Sequence, residues 1–186
     1  MRVSKEIAQK NRDNVVNTAS QLFREHGVDA VGIGPLMKQA GLTNGAFYKQ
    51  FDSKDALVLE AVDHALKQNR AAWRETLESD SLDALADFKK WYLSQDHIEH
   101  RDLGCTYSTL ACEAPRRGER NQTLFAVAVE KSLELLNKHT PMERPEQVKT
   151  LCGLVGALTL ARAVGDCGLR EEIVAAMTEG AIASNG

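Results

Sequence analysis

"GLTNGAFYKQFDSKDAL", Gly41 to Leu57, is the stretch on which the fold turns. Gly41-Leu42 is a tight, glycine-containing connection between two short helical segments. Thr43 stands where a cap opens the second of them, which is expected to run to about Phe51. Phe47 and Phe51 are four apart and face inward, toward Phe23 and Leu36. Gly45 and Lys49, also four apart, lie on the nearly opposite face, with Asn44 and Tyr48 on the flank between. Asp52 is a loop residue, and Ser53 caps a long helix that starts at Lys54 with Asp55 in its first turn.

Two short helices across such a turn fit a helix-turn-helix, whose second helix enters the DNA major groove. The outward residues have the right chemistry. Lys49 offers a cation to phosphate or to guanine acceptors, Tyr48 a phenolic hydroxyl, and Thr43 and Asn44 short polar groups for phosphate or base edges. Gly45 and Ala46 allow close approach. Ser53 and Lys54 add a second phosphate site at a helix N-terminus. The competing reading of the same spacing is a solvated helix pair with ordinary turn glycines.

Working outward, a helix is expected from about Asn11 to His26, with Val15, Ala19, Leu22 and Phe23 on one stripe and Gly27 as its stop. Ile33 to Ala40 follows, with Pro35 in its first turn. The long helix extends to about Glu78, and "SDSLDALADFKKWYL" is a helix capped near Ser81. "HIEHRDLGC" is irregular, "CTYSTLACEA" is helical until Pro115, and "NQTLFAVAVEKSLELLNKH" is a clear helix ended by "TPMERP". Two more run from Pro145 to about Val164 and across "REEIVAAMTEGAI". The expectation is an all-α fold of about nine helices with no strand and no internal repeat. Residues 1–53 are expected to form a DNA-binding domain and 54–186 a larger helical domain for effector binding and dimerisation.

Bulk composition agrees. With 43% hydrophobic and 26% charged residues among 186, the chain buries an ordinary core. Its four cysteines show no metal-type pairing, and no apolar run reaches membrane-spanning length. Reduced thiols, no secretory signal and a cytoplasmic location are therefore expected. The net charge of -3 hides an asymmetry: residues 1–58 carry 8 Lys+Arg against 6 Asp+Glu, and the remainder 15 against 20. That permits a DNA-facing N-terminal part beneath an acidic body.

The segment "GVDAVGIGPLMKQAGLTNGAFYKQFDSKDAL" resembles the DNA-binding region of the TetR family of transcriptional regulators, in its subgroup with a G-L-T-x-G-x-F-Y-x-x-F-x-S-K-x-A-L signature. Gly41, Leu42, Thr43, Gly45, Phe47, Tyr48, Phe51, Ser53, Lys54, Ala56 and Leu57 fit it. The resemblance covers about the first third of the chain. It implies a homodimer that reads a pseudo-palindromic double-stranded DNA operator and is released by a small-molecule effector, with no cofactor and no enzymatic activity. It also implies DNA contacts at Thr43, Asn44, Gly45, Tyr48, Lys49 and Lys54. Four positions depart from the subgroup's habit: Asn44 stands where His is frequent, Ala46 for Gly, Gln50 for His, and Gly32 where a Ser or Thr often caps.

In the remainder, the resemblance implies a pocket among the middle helices and an interface on the last two. Pocket candidates are Trp73, Phe88, Trp91, Tyr92, Cys105, Tyr107 and Phe125, with His64, His97 and His100 to lend polarity. Interface candidates are Leu151, Val155, Leu158, Arg162, Ile173 and Met177, with small residues such as Gly153 and Gly156 allowing close packing; Gly180 extends the last stripe. H-x-x-H at His97 and His100 is too weak for a metal site.

Cys105 sits near a helix start, seven before Cys112, where the helix dipole would lower a thiol pKa. The resemblance adds that some relatives with a Gly-Cys here respond to electrophiles or oxidants. A thiol-sensing repressor is thus one alternative. An all-α enzyme with a Cys105 nucleophile is another, but no group orients His97 or His100 as its base. An effector-blind helical scaffold is a third.

Overall fold

The computed structural model describes residues 5–78 and 81–178, and every regular element among them is helical. They are α1 (Lys5–His26), α2 (Ile33–Gln39), α3 (Asn44–Phe47), α4 (Lys54–Leu77), α5 (Ala84–Tyr92), α6 (Gln95–Glu99) and α7 (Thr106–Leu110). A 3₁₀ segment (Ala111–Arg117) follows, then α8 (Glu119–His139), α9 (Arg144–Val164) and α10 (Gly168–Thr178).

α1 starts six residues before the expected Asn11. Its first turns are exposed on all sides, so no apolar stripe marks them; Gln9 donates to Asp13 at 2.8 Å one turn on. α2 ends in a Schellman motif. Leu42 N–H reaches the Met37 carbonyl at 2.8 Å and Gly41 N–H the Lys38 carbonyl at 3.0 Å, with Gly41 at φ 72°. Ser53 caps α4, its hydroxyl accepting from Ala56 N–H at 3.0 Å. α5 is capped by Asp83, which accepts from Ala86 N–H at 2.9 Å, rather than by Ser81, whose hydroxyl instead serves Asp87 and the Asp83 amide.

The expected single helix "CTYSTLACEA" is two pieces. Pro115 has no N–H for the Ala111 carbonyl and its ring crowds it, so the chain tightens from α7 into the 3₁₀ segment. Cys105 and Cys112 therefore do not share a face: the first is buried and the second exposed. The irregular stretch before it holds the short α6, capped by Ser94. The final stripe's Gly180 lies outside the described residues.

The apolar core is continuous from Val15 in α1 to Ala161 in α9. α1 packs on α4, α4 also meets α5, α7 and α8, and α9 pairs with α10. At that last contact Gly153 lets Met177 approach so closely that a Cβ would stand 2.7 Å from Met177 Cε. By length and composition α9 is apolar enough to cross a membrane, but Leu151, Leu154, Leu158 and Ala161 bury its inner face against the protein's own helices.

Candidate functional site

α1, α2 and α3 form one end of the molecule. Phe47 and Phe51 are buried there with Phe23, Leu36 and Met37, their rings stacked with centroids 5.5 Å apart. The opposite surface carries Thr43, Asn44, Gly45, Tyr48 and Lys49, all exposed, with Ala46 half-buried at the edge. Tyr48 is 68% exposed although its ring meets Phe47 edge-on at 5.2 Å. No atom lies within 4 Å of a Cβ built on Gly45. This is an exposed face of short polar groups, one phenol and one ammonium.

Three expectations here need correction. The regular part of α3 is a single turn; beyond Phe47 the chain continues through Tyr48–Gln50 as a turn, closed by Phe51 N–H on the Phe47 carbonyl at 2.9 Å. Thr43 holds the N-cap position with extended backbone, but its hydroxyl makes no capping bond. Lys54, expected to offer its ammonium outward, donates it to the Val28 carbonyl at 2.8 Å.

Arg12 was not legible as part of this site. Its guanidinium donates to the Gln50 carbonyl, pairs with Glu60 of α4, and lies 4.2 Å over the Phe51 ring. It clamps the end of the turn after α3 onto α1 and α4 through partners 38 and 48 residues away.

A second clamp joins this unit to the helices above. Glu113 of the 3₁₀ segment accepts from Val28 N–H at 3.3 Å, and Arg117 bridges Asp29 at 2.5 Å and Glu113 at 3.0 Å. The Arg117 guanidinium holds the Asp29 carboxyl below the usual carboxylate range.

In the body, Trp73, Phe88, Tyr92, Tyr107 and Phe125 are buried against one another rather than around an opening, with Trp73 centroids 5.1 Å from Phe88, 5.6 Å from Tyr92 and 6.0 Å from Tyr107. As pocket walls they are a correction: the rings fill the space between them. Of the aromatic candidates Trp91 lines a half-open cleft of about 440 Å³, joined by His97 and His100, expected to lend polarity, and by Asn69, Ala72, Ser94, Asp96, Leu103 and Gly104. Asn69 was missed, although a lone amide on the apolar stripe of α4, between Leu66 and Trp73, is a readable signal.

Cys105 also corrects an expectation. Burial pushes its thiol pKa up, outweighing the hydrogen bonds that favour the thiolate. Its sulfur accepts from the Tyr92 hydroxyl at 2.8 Å, and its backbone N–H donates to His97 Nε2, also at 2.8 Å. His97 is held neutral, its pKa lowered to about 4 by burial and by the nearby Arg162 guanidinium. Among the described residues no group of three or more His, Cys, Asp or Glu is placed to hold a metal.

The interface candidates divide. Leu151 and Leu158 are core residues, 5% and 0% exposed. Arg162 turns inward, donating to the Ile98 carbonyl at 3.1 Å, the His97 carbonyl at 2.6 Å and Ser108 Oγ at 2.8 Å. Val155, Ile173 and Met177 are half-buried. The face of α9 left open carries Val148, Cys152, Thr159 and Leu160 instead.

Residues 15–61 match the family described as "Bacterial regulatory proteins, tetR family". The HTH-type transcriptional regulator AcrR of Shigella flexneri is 37% identical over 59 residues, 32% of this chain and 27% of that protein. The HTH-type transcriptional repressor NemR of Escherichia coli is 24% identical over 155 residues, 81% of this chain and 77% of that protein. A solved TetR transcriptional regulator from Chloroflexus aurantiacus superposes with a TM-score of 0.77 at 21% identity, covering 93% of this chain and 94% of that one. The chain thus spans about a quarter of the AcrR regulator it matches and most of the NemR repressor. The helix-turn-helix geometry and the match at residues 15–61 identify this N-terminal part as a DNA-binding region of the tetR type, and the all-helical body shares the fold of solved TetR regulators.

Proposed function

We propose that the chain is a ligand-responsive DNA-binding transcription regulator, a repressor released from a pseudo-palindromic operator when a small molecule binds. The observation that carries this is the exposed face of Thr43, Asn44, Gly45, Tyr48 and Lys49 over a locked Phe47–Phe51 floor. Residues 1–53 read DNA and 54–186 take the effector and the second protomer. Ser53 N-caps α4 beside this face; Lys54 braces the 28–29 loop rather than standing free for a phosphate.

The effector site is the cleft beside Trp91. Its Gly104 wall leads directly into α7 and the 3₁₀ segment, whose Glu113 and Arg117 grip the loop ahead of α2. A ligand that binds one position of that segment better than another shifts the recognition turns by the same free energy. The molecule acts as a cytoplasmic homodimer through the open face of α9 together with α10, and it is not an enzyme. A Cys105 nucleophile would need an exposed thiolate and a base; the thiol is fully buried, and the nearest imidazole nitrogen is engaged by a backbone N–H.

The test is anisotropy titration on a DNA sequence selected from a random pool, repeated across salt concentrations. Lys49→Ala is expected to weaken binding about tenfold on all selected sequences and to lower the salt slope by about one, with the helical signal unchanged. Unaltered affinity would remove Lys49 and its turn from the DNA interface.

A further inference from the structure

What stands behind the cleft walls limits what the cleft would hold. Asn69 is 6% exposed and lines it. Its Oδ1 accepts from Thr106 N–H at 3.4 Å, while its Nδ2 has no partner among the described residues. The neighbouring Thr106 hydroxyl, fully buried, is also unpartnered. A buried amide with both hydrogens unpaired costs free energy that a ligand acceptor would recover.

Two guanidinium groups bear on the same walls. Arg24 donates to the Gly104 carbonyl at 3.2 Å and to Gln68, the residue before Asn69, at 3.0 Å; its third bond goes to the Ser20 carbonyl. Arg162 grips the His97 and Ile98 carbonyls and presses so near Gly104 that a Cβ there would stand 2.6 Å from Nη2. All their partners are neutral, and neither is among the arginines that pair with a carboxylate in the described residues. Asp102 acts on Arg24 and Glu25 on Arg162 only through space, so no contacting carboxylate neutralises either desolvated cation and the inner end of the cleft keeps positive character. The one acid lining the cleft, Asp96, is 88% exposed at the mouth and already faces His100 at 3.0 Å. Trp91, Ala72 and Leu103 make the remaining wall apolar and partly aromatic.

We propose that this cleft takes a small, flat organic carboxylate: the carboxylate accepts from Asn69 Nδ2 in the field of Arg24 and Arg162, and the conjugated body lies against Trp91, Ala72 and Leu103. This rests on the effector reading above and names its ligand class. The neutral His97 leaves the choice of charge to the two arginines.

Isothermal titration with three probes of one shape tests it: cinnamate, cinnamamide and cinnamylamine. Cinnamate is expected to bind about tenfold tighter than cinnamamide, and cinnamylamine not measurably. Asn69→Asp keeps an acceptor for Thr106 N–H while replacing the donor by a negative charge. It is expected to cost cinnamate about tenfold or more in a protein whose thermal melt shows a cooperative transition. Should that variant not fold, Trp91→Ala, at the half-exposed wall, is expected to weaken cinnamate and cinnamamide alike. Equal binding of acid and amide, preference for the amine, no binding of any probe, or an Asn69→Asp protein with unaltered cinnamate affinity would overturn the proposal. DNA binding is measured separately on the same preparations. A chain that binds DNA and no carboxylate loses only the ligand class; one that binds cinnamate and no DNA loses the regulator reading.

Discussion

Gly41 shows how much one backbone angle carries. Its φ of 72° lets the chain leave α2 and turn into α3 while the orphan carbonyls of Met37 and Lys38 accept from the Leu42 and Gly41 amides. Nothing lies within 4 Å of a Cβ built there, so Gly41→Ala meets no clash and suffers only the left-handed conformation. The expected loss is about 1 kcal/mol of unfolding free energy, read as a lower urea midpoint at constant slope. An unchanged midpoint would mean that the turn relaxes without strain. Residue-level reading of the sequence succeeded where a side chain acts on its near neighbours, as at Gly41 and the Ser53 cap. It failed for Lys54, whose acceptor at Val28 is 26 residues away.

At the scale of elements, the 3₁₀ segment adds a second tie between the two ends of the molecule beside the long helix α4. α7 begins at the cleft wall, and the segment after it ends on the 28–29 loop through Glu113 and Arg117. Arg117→Ala removes the bridge to Asp29 and frees Glu113 from its i,i+4 partner. The Val28 amide, held at 3.3 Å by Glu113, is then expected to exchange with solvent about tenfold faster or more, while core amides of α4 keep their protection. Equal exchange at Val28 would show that the contact transmits nothing. That this segment is 3₁₀ was foreshadowed by Pro115, but its partners were not: they sit 85 and 88 residues earlier in the chain.

For the whole molecule, the open question is what covers α9. Its inner face is core, α10 covers one flank, and Val148, Cys152, Thr159 and Leu160 stay exposed among the described residues. A helix apolar on nearly all sides meets water at those positions in the isolated protomer, at a cost that association removes. Cys152→Arg places a charge on an exposed position, so the protomer is expected to keep its fold. Sedimentation equilibrium is expected to show a shift from dimer toward monomer, with operator affinity falling because two linked half-site contacts become one. A variant that stays dimeric would move the interface elsewhere.

The sequence by itself determined the all-helical architecture, the helix-turn-helix and its outward residues. Those depend on spacings of three and four residues, on glycine at a positive φ and on caps, all local physics that needs no knowledge of the rest of the chain. Only the tertiary structure decided which aromatic lines an opening and which fill the core, and that Cys105 is sealed rather than activated by its helix start. It alone brought Arg12 to Gln50 and Glu60, and left the Asn69 amide in a cleft whose walls are held by two guanidiniums bonded to neutral groups. In each case burial and the partner's identity are set by residues tens of positions away, so a composition or a period carries no trace of them.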